Sequence, residues 1–146
     1  ILIYPNNDLG SKEILDQMKR LKSNEKIKIF PSLRFEYFLR FLKESQFIIG
    51  NSSAGIREAP YYNVPAIDIG TRQNNRAKLA SIFNCSYEKE SILEAIKKLD
   101  EIRIETEYIE KDKLHFGKGR SDKLFLKLLN SEQFWNIEHQ KQFQEI

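Results

Sequence analysis

Cysteine is nearly absent. Cys85 is the single one in 146 residues, which excludes an intrachain disulfide and any multi-cysteine zinc site and makes a reducing cytoplasm the expected setting. Histidine is almost as scarce: His115 and His139 are too few and too poorly placed for a metal centre or a Ser/His/Asp arrangement. Neither a metal nor a cofactor is expected. The glycines form no GxGxxG and no Walker-type fingerprint. No apolar run approaches the roughly 18 residues of a membrane span, and no basic segment leads into a short apolar core and a small-residue cleavage site, so no membrane partner is expected. Charge of one sign is lacking too. The 24 basic and 21 acidic side chains leave a net charge of +3 scattered in mixed sign, which makes no polyanion stripe and implies no nucleic acid. In the most basic stretch, Lys111, Lys113, Lys118, Arg120, Lys123 and Lys127 interleave with Glu110, Asp112 and Asp122, the pattern of a solvated helical face.

What is present is a 40% hydrophobic chain, enough for one domain with a real core. It starts without methionine, at Ile1, directly in a strand-like apolar run, as expected of a piece of something longer. Ile1 to Tyr4 is closed by Pro5, Asn6, Asn7, Asp8 and Gly10, a strand handing over to a loop. Ser11 is positioned to cap a helix beginning near Lys12, with Ile14, Leu15, Met18 and Leu21 as one buried stripe. Ile27, Ile29 and Phe30 predict a second strand, and Pro31-Ser32 breaks the chain before a helical stripe of Phe35, Phe38, Leu39 and Leu42. Phe47 to Ile49, Ala66 to Ile69, and Ile82 to Cys85 predict three further strands. Helices are expected from Ala54 to Tyr61, disturbed by Pro60 and Asn63, and through Ser91, Ile92, Leu93, Ile96 and Leu99. Residues 100–113 read as loop or partial helix. A last helix carries Leu124, Phe125, Leu128 and Leu129, and the apolar tail of Phe134, Trp135, Ile137, Phe143 and Ile146 calls for a docking surface. Such alternation predicts an α/β fold, a Rossmann-like parallel sheet with helices on both faces, because parallel strands need crossovers of a dozen residues or more.

Ligands of open parallel sheets collect at the carboxyl ends of the strands. Four segments qualify: Asn6 to Ser11, Pro31 to Phe35, Gly50 to Glu58 and Gly70 to Arg76, all expected on one edge. The sharpest is Gly50-Asn51-Ser52-Ser53-Ala54-Gly55-Ile56-Arg57-Glu58-Ala59. A small-residue turn opening a helix leaves main-chain N–H groups unpaired at the positive end of the helix dipole, a setting for a diphosphate. Ser52 and Ser53 add hydroxyl donors, although a serine capping an ordinary helix has the same spacing. Glu58 lies one turn further, within reach of a ribose diol, or is a solvated surface glutamate. Arg72, ringed by Gly70, Thr71, Gln73, Asn74, Asn75 and Arg76, can grip a phosphate with its planar guanidinium or lie free in a surface loop. Asn6 is a turn-former or a ligand contact. Gly117-Lys118-Gly119, ahead of a helix, is a loop that can approach an anion or, the better reading, a plain turn.

Taken together, Tyr4-Pro5-Asn6, Gly50 to Ala59, Val64-Pro65 and Ile69-Gly70-Thr71-Arg72-Gln73 resemble the hydrolysing UDP-N-acetylglucosamine 2-epimerases of sialic acid and related nonulosonic acid pathways. The resemblance extends over essentially the whole chain, including Pro31 to Phe38, the Gly117-Lys118-Gly119 loop, where many relatives carry an acidic residue in place of Lys118, and Phe134-Trp135. It implies the C-terminal half of a two-domain GT-B enzyme with the nucleotide sugar in the cleft between the halves. By motif, Asn6 and the main chain around Leu33 would touch the nucleotide, Ser52 and Ser53 the diphosphate, Glu58 the ribose hydroxyls, and Arg72 the diphosphate region. The implied partner is a UDP-sugar, UDP being eliminated across C1 and C2 and the glycal hydrated to a free 2-epimeric sugar. The parent would be a homodimer or homotetramer. No catalytic acid or base is assigned here, since those of the family's first domain are absent, as is the histidine-bearing strand and helix that open its second. That strand would lie between the strands placed first and third, so either a gap filled by another copy or a missing N-terminal segment is expected there, and the isolated chain is expected to be inactive. A glycosyltransferase of the same architecture and a non-catalytic flavodoxin-like interaction domain are the alternatives.

Overall fold

Strand and helix alternate as the hydrophobic periodicity predicts up to the fourth strand, which the fifth follows with no helix between, and the strand pairings among the described residues are all parallel. The computed structural model describes residues 1–102 and 115–136. In order they form β1 (Leu2–Ile3), α1 (Ser11–Arg20), β2 (Ile29–Phe30), α2 (Phe35–Glu44), β3 (Ile48–Gly50), α3 (Ala54–Tyr61), β4 (Ala66–Ile69), β5 (Ile82–Cys85), α4 (Lys89–Ile102), α5 (Ser121–Leu129) and α6 (Glu132–Trp135). The fold is α/β, with parallel sheets flanked by helices. No helix among the described residues is long and apolar enough to cross a membrane.

The strands form two separate sheets. One is β1-β2, with Leu2 opposite Ile29 and Ile3 opposite Phe30; the other is β3-β4-β5, with Ile49 opposite Ile67 and Ile67 opposite Phe83. No ladder joins β1 to β3. A parallel sheet is stable when covered on both faces, and the larger sheet meets that condition at β4. Ala66 packs with Leu42, Ala59 and Val64, along with Phe38 and Ile48, so α2 and α3 cover one face. The next residue, Ile67, points the other way onto Ala95 and Leu99, with Phe83 and Ile96 beside it, so α4 covers the opposite face. This period-two alternation follows from the pleat. Gly55 sets the closeness of α3 to the sheet: a Cβ there would stand 3.3 Å from the Cβ of Ala66.

Several boundaries differ from the sequence expectation, each for a local reason. Helix α1 includes Ser11; Gly10, at φ +88°, precedes it, and no side chain caps it. Its apolar stripe is not buried: Leu15 and Met18 are half-covered, while Ile14 and Leu21 are exposed, because a two-stranded sheet offers too little surface to cover it. Ile27 precedes β2 rather than belonging to it, and Phe47 packs beside the α4 cluster just ahead of β3. Pro60 sits in the last turn of α3, and Asn63 at φ 58° turns the chain into β4. Helix α4 runs to Ile102; the rest of the stretch expected as loop or partial helix lies outside the described residues, as do Ile137, His139, Phe143 and Ile146. The expected stripe on α5 stands largely in solvent, with Leu124, Phe125 and Leu128 exposed. α6 folds back on it, where the Trp135 indole Nε1–H donates to the Leu129 carbonyl at 2.7 Å.

Candidate functional site

The turn after β3 is built for an open helix start. The Ala54 N–H donates to Ser52 Oγ at 3.3 Å, and the Ser53 carbonyl accepts from the N–H groups of Ile56 (3.0 Å) and Arg57 (2.9 Å). Ser52 thus takes the capping role one residue early, and Ser53, at the positive end of α3, makes no side-chain cap bond. Glu58 stands four residues after Ala54, one turn along the same face. Its Oε2 is buried without a hydrogen-bond partner. A buried acceptor left unpaired costs about 1–3 kcal/mol, a cost that a hydrogen-bond donor at this oxygen would relieve.

Arg72 reaches the site from the end of β4. Its Nη2 lies 3.6 Å from Asp8 Oδ2, with the two side chains 49% and 69% exposed, so the loop after β4 meets the loop after β1. The turn that carries it begins at Gly70, whose N–H donates to the Cys85 carbonyl at 2.8 Å. Gly70 adopts φ +83°, and a Cβ there would fall 2.1 Å from Cζ of Tyr87; conformation and space both demand glycine. Gln73, next to Arg72, is 4% exposed. Its Nε2 donates to the Asn51 carbonyl at 2.8 Å and ties the Arg72 loop to the small-residue turn.

Asp68 lies beneath that turn, in register with Gly50 on β3 and 3% exposed. Burial pushes its carboxyl above the usual range, and its Oδ2 has no partner. It lines a cavity of about 40 Å³ with Ile48, Gly50, Ser52 and Gly55. Burial, together with the nearby Asp68 charge, also pushes up the Cys85 thiol.

Of the residues singled out in the sequence, Ser52, Ser53 and Glu58 share one turn and helix, and Arg72 is tied to that turn through Gln73. Asn6 is exposed in the loop that also carries Asp8, so it stands on the segment that Arg72 touches. Leu33 is half-buried between β2 and α2; among the described residues, no hydrogen bond or ion pair joins it to the others. His115 is exposed, edge-on to Phe116. No cluster of three or more His, Cys, Asp and Glu among the described residues is placed to hold a metal. Sequence reasoning gave no role to Asp68 or Tyr87, took Asp8 only as a turn residue of the Asn6 to Ser11 segment, and took Gln73 only as part of a polar run and of the resembling motif Ile69 to Gln73. Asp68 alone carried a local signal, an acid inside the apolar run Ala66-Ile67-Asp68-Ile69.

These features define a parallel α/β protein that presents main-chain and hydroxyl donors, a guanidinium and a buried acceptor at its strand ends, the region where such folds take ligands. The chain belongs to the UDP-N-acetylglucosamine 2-epimerase family, whose sequence profile matches residues 1–130. It is 45% identical to a UDP-N-acetylglucosamine 2-epimerase of Neisseria meningitidis serogroup B over 145 residues, 98% of this chain and 37% of that protein. It is 38% identical to the polysialic acid biosynthesis protein P7 of Escherichia coli over 66% of this chain and 25% of that protein. A hydrolysing GDP/UDP-N,N'-diacetylbacillosamine 2-epimerase of Campylobacter jejuni is 37% identical over 53% of this chain and 20% of its own length. The chain therefore spans little more than a third of the longest of these matches.

Proposed function

We propose that the chain is the UDP-binding part of a hydrolysing UDP-N-acetylhexosamine 2-epimerase, which converts a UDP-sugar and water into UDP and the free 2-epimeric sugar. One observation supports this reading: the Gln73–Asn51 hydrogen bond ties the Arg72 loop to the small-residue turn that opens the helix carrying Glu58, whose Oε2 is buried without a partner. On this reading, Ser53, the α3 N-terminus and Arg72 receive the diphosphate, Glu58 accepts from the ribose hydroxyls, and Asn6 and the main chain at Leu33 touch the rest of the nucleotide. In the elimination, the C1–O bond breaks with its electron pair going to UDP while a base removes the proton at C2; water then adds to the glycal. Fixed donors aimed at the departing diphosphate lower the first barrier, and losing one such group from comparable sites costs on the order of 10²–10³ in rate.

The split sheet supports a domain completed from elsewhere in the polypeptide. Two parallel sheets with unpaired edges at β1 and β3, beside exposed Ile1, Ile3 and Ile49, suit a further parallel strand between them in a GT-B-type second domain. The base for C2 would come from outside the described residues. The whole protein is read as a cytoplasmic homodimer or homotetramer. The test is a coupled assay on the full-length protein, which should release free 2-epimeric N-acetylhexosamine and UDP in equal amounts. Sugar transfer to an acceptor, with none released free, would reject the reading.

A further inference from the structure

We infer that Gln73 is a positioning residue. Its hydrogen bond to the Asn51 carbonyl sets the separation between the small-residue turn and Arg72, and thereby the grip on a diphosphate; this rests on the UDP reading above. In the polar run 71–76, Gln73 is the one buried residue, its neighbours on both sides being exposed. Burying an amide is costly unless it is hydrogen-bonded; here Nε2 donates across 22 residues of sequence to a main-chain carbonyl, while Oε1 is buried without a partner. The other bonds of the loop are local: Asn74 N–H to the Thr71 carbonyl at 3.1 Å and Arg76 N–H to the Gln73 carbonyl at 3.3 Å. Neither fixes the loop to the rest of the fold. Arg72 gains little anchorage from its own side chain, because its contact with Asp8 is long and exposed and such pairs contribute little. The guanidinium is therefore aimed by its backbone. That backbone is held at one end by Gly70, bonded to Cys85 and covered by Tyr87, and at the other by Gln73. A loop held in place before binding avoids the ordering cost a loose one meets on binding.

The test measures UDP and uridine affinities of the full-length protein by calorimetry and by ligand-observed NMR. Gln73→Met keeps length and loses the donor; UDP affinity is expected to fall about 10-fold and uridine affinity to change less than about 2-fold, as one hydrogen bond predicts. Gln73→Glu separates positioning from mere folding. At neutral pH its carboxylate faces the Asn51 carbonyl, acceptor against acceptor, and UDP binding weakens. As pH falls the introduced carboxyl, raised by burial, takes up a proton and donates to that carbonyl, so its UDP affinity relative to wild type at the same pH recovers. The Gln73→Met ratio stays flat. Equal losses for UDP and uridine in Gln73→Met, or a Gln73→Glu ratio that does not move with pH, would overturn the inference; if Gln73→Met melts without cooperativity, the Gln73→Glu ratio decides. Wild-type protein that fails to bind UDP overturns the nucleotide reading and this one together. Wild type that binds UDP, beside Gln73 variants that bind it equally well, overturns this one alone.

Discussion

Replacing Arg72 with alanine probes the site with least damage to the fold. The side chain is half-exposed and its ion pair with Asp8 spans 3.6 Å, a contact worth about 0–1 kcal/mol in solvent. Folding stability should therefore change by less than about 1 kcal/mol, within a few degrees of the wild-type melting temperature. Binding should respond far more. A charge-assisted hydrogen bond to phosphate contributes about 1.5–3 kcal/mol, so UDP affinity should fall by about 10- to 100-fold. The remaining affinity should depend less steeply on salt, since one screened contact is gone. Asp8→Asn should act in the opposite direction: it frees the guanidinium of its competitor and tightens UDP binding by at most about 5-fold. Calorimetric titration with UDP at two ionic strengths, beside a thermal melt of each variant, supplies all these quantities. Arg72→Ala protein that melts like wild type and binds UDP equally well would refute the assignment of this guanidinium to the diphosphate.

Glu58→Gln should lower UDP affinity about 10-fold, one charged hydrogen bond's worth, yet leave binding of 2′,3′-dideoxy-UDP unaltered; equal losses for the two ligands would remove Glu58 from the ribose. Asp68 links stability to pH. Its carboxyl is raised in the fold, so below the unfolded carboxylate range it is protonated in both states and adds no penalty. As pH rises from there through its folded value, the unfolded chain releases the proton more readily and stability declines. Asp68→Asn should abolish that decline, and denaturant melts across the acid-to-neutral range that show wild type and variant in parallel would reject it. Gly70→Ala should cost about 1–2 kcal/mol for the backbone at φ +83° and more for the clash with Tyr87, with Tyr87→Ala restoring only the steric part in a urea-midpoint comparison of the double variant.

The fold was legible in the sequence to the extent that it depends on local pattern. Period-three-and-four stripes marked α2 and α4, and the short apolar runs marked the five strands of the described residues, because those periods follow from helix and strand geometry. The burial of α1 and α5 was not legible. Ile14 and Leu124 carry the pattern of a covered face, yet both are exposed, because periodicity marks an apolar face and does not say what packs on it. The division of the strands into two sheets was likewise not readable from composition or periodicity. Those signals identify strands but do not pair them.

The same boundary runs through the site. Sequence alone determined the chemistry available at the strand ends: the small residues at 50–55, the acid one turn into the following helix, and the arginine after Gly70. Those choices are governed by turn and helix-start physics within a few residues. Only the tertiary structure decided which of these groups meet. The Arg72–Asp8 contact joins loops 64 positions apart in number, counted from the two residues it links, Gln73 reaches Asn51 across 22, and Asp68 lies beneath the turn only because β4 pairs in register with β3. Hydrogen bonds and burial between distant segments arise from packing, and no local pattern encodes them.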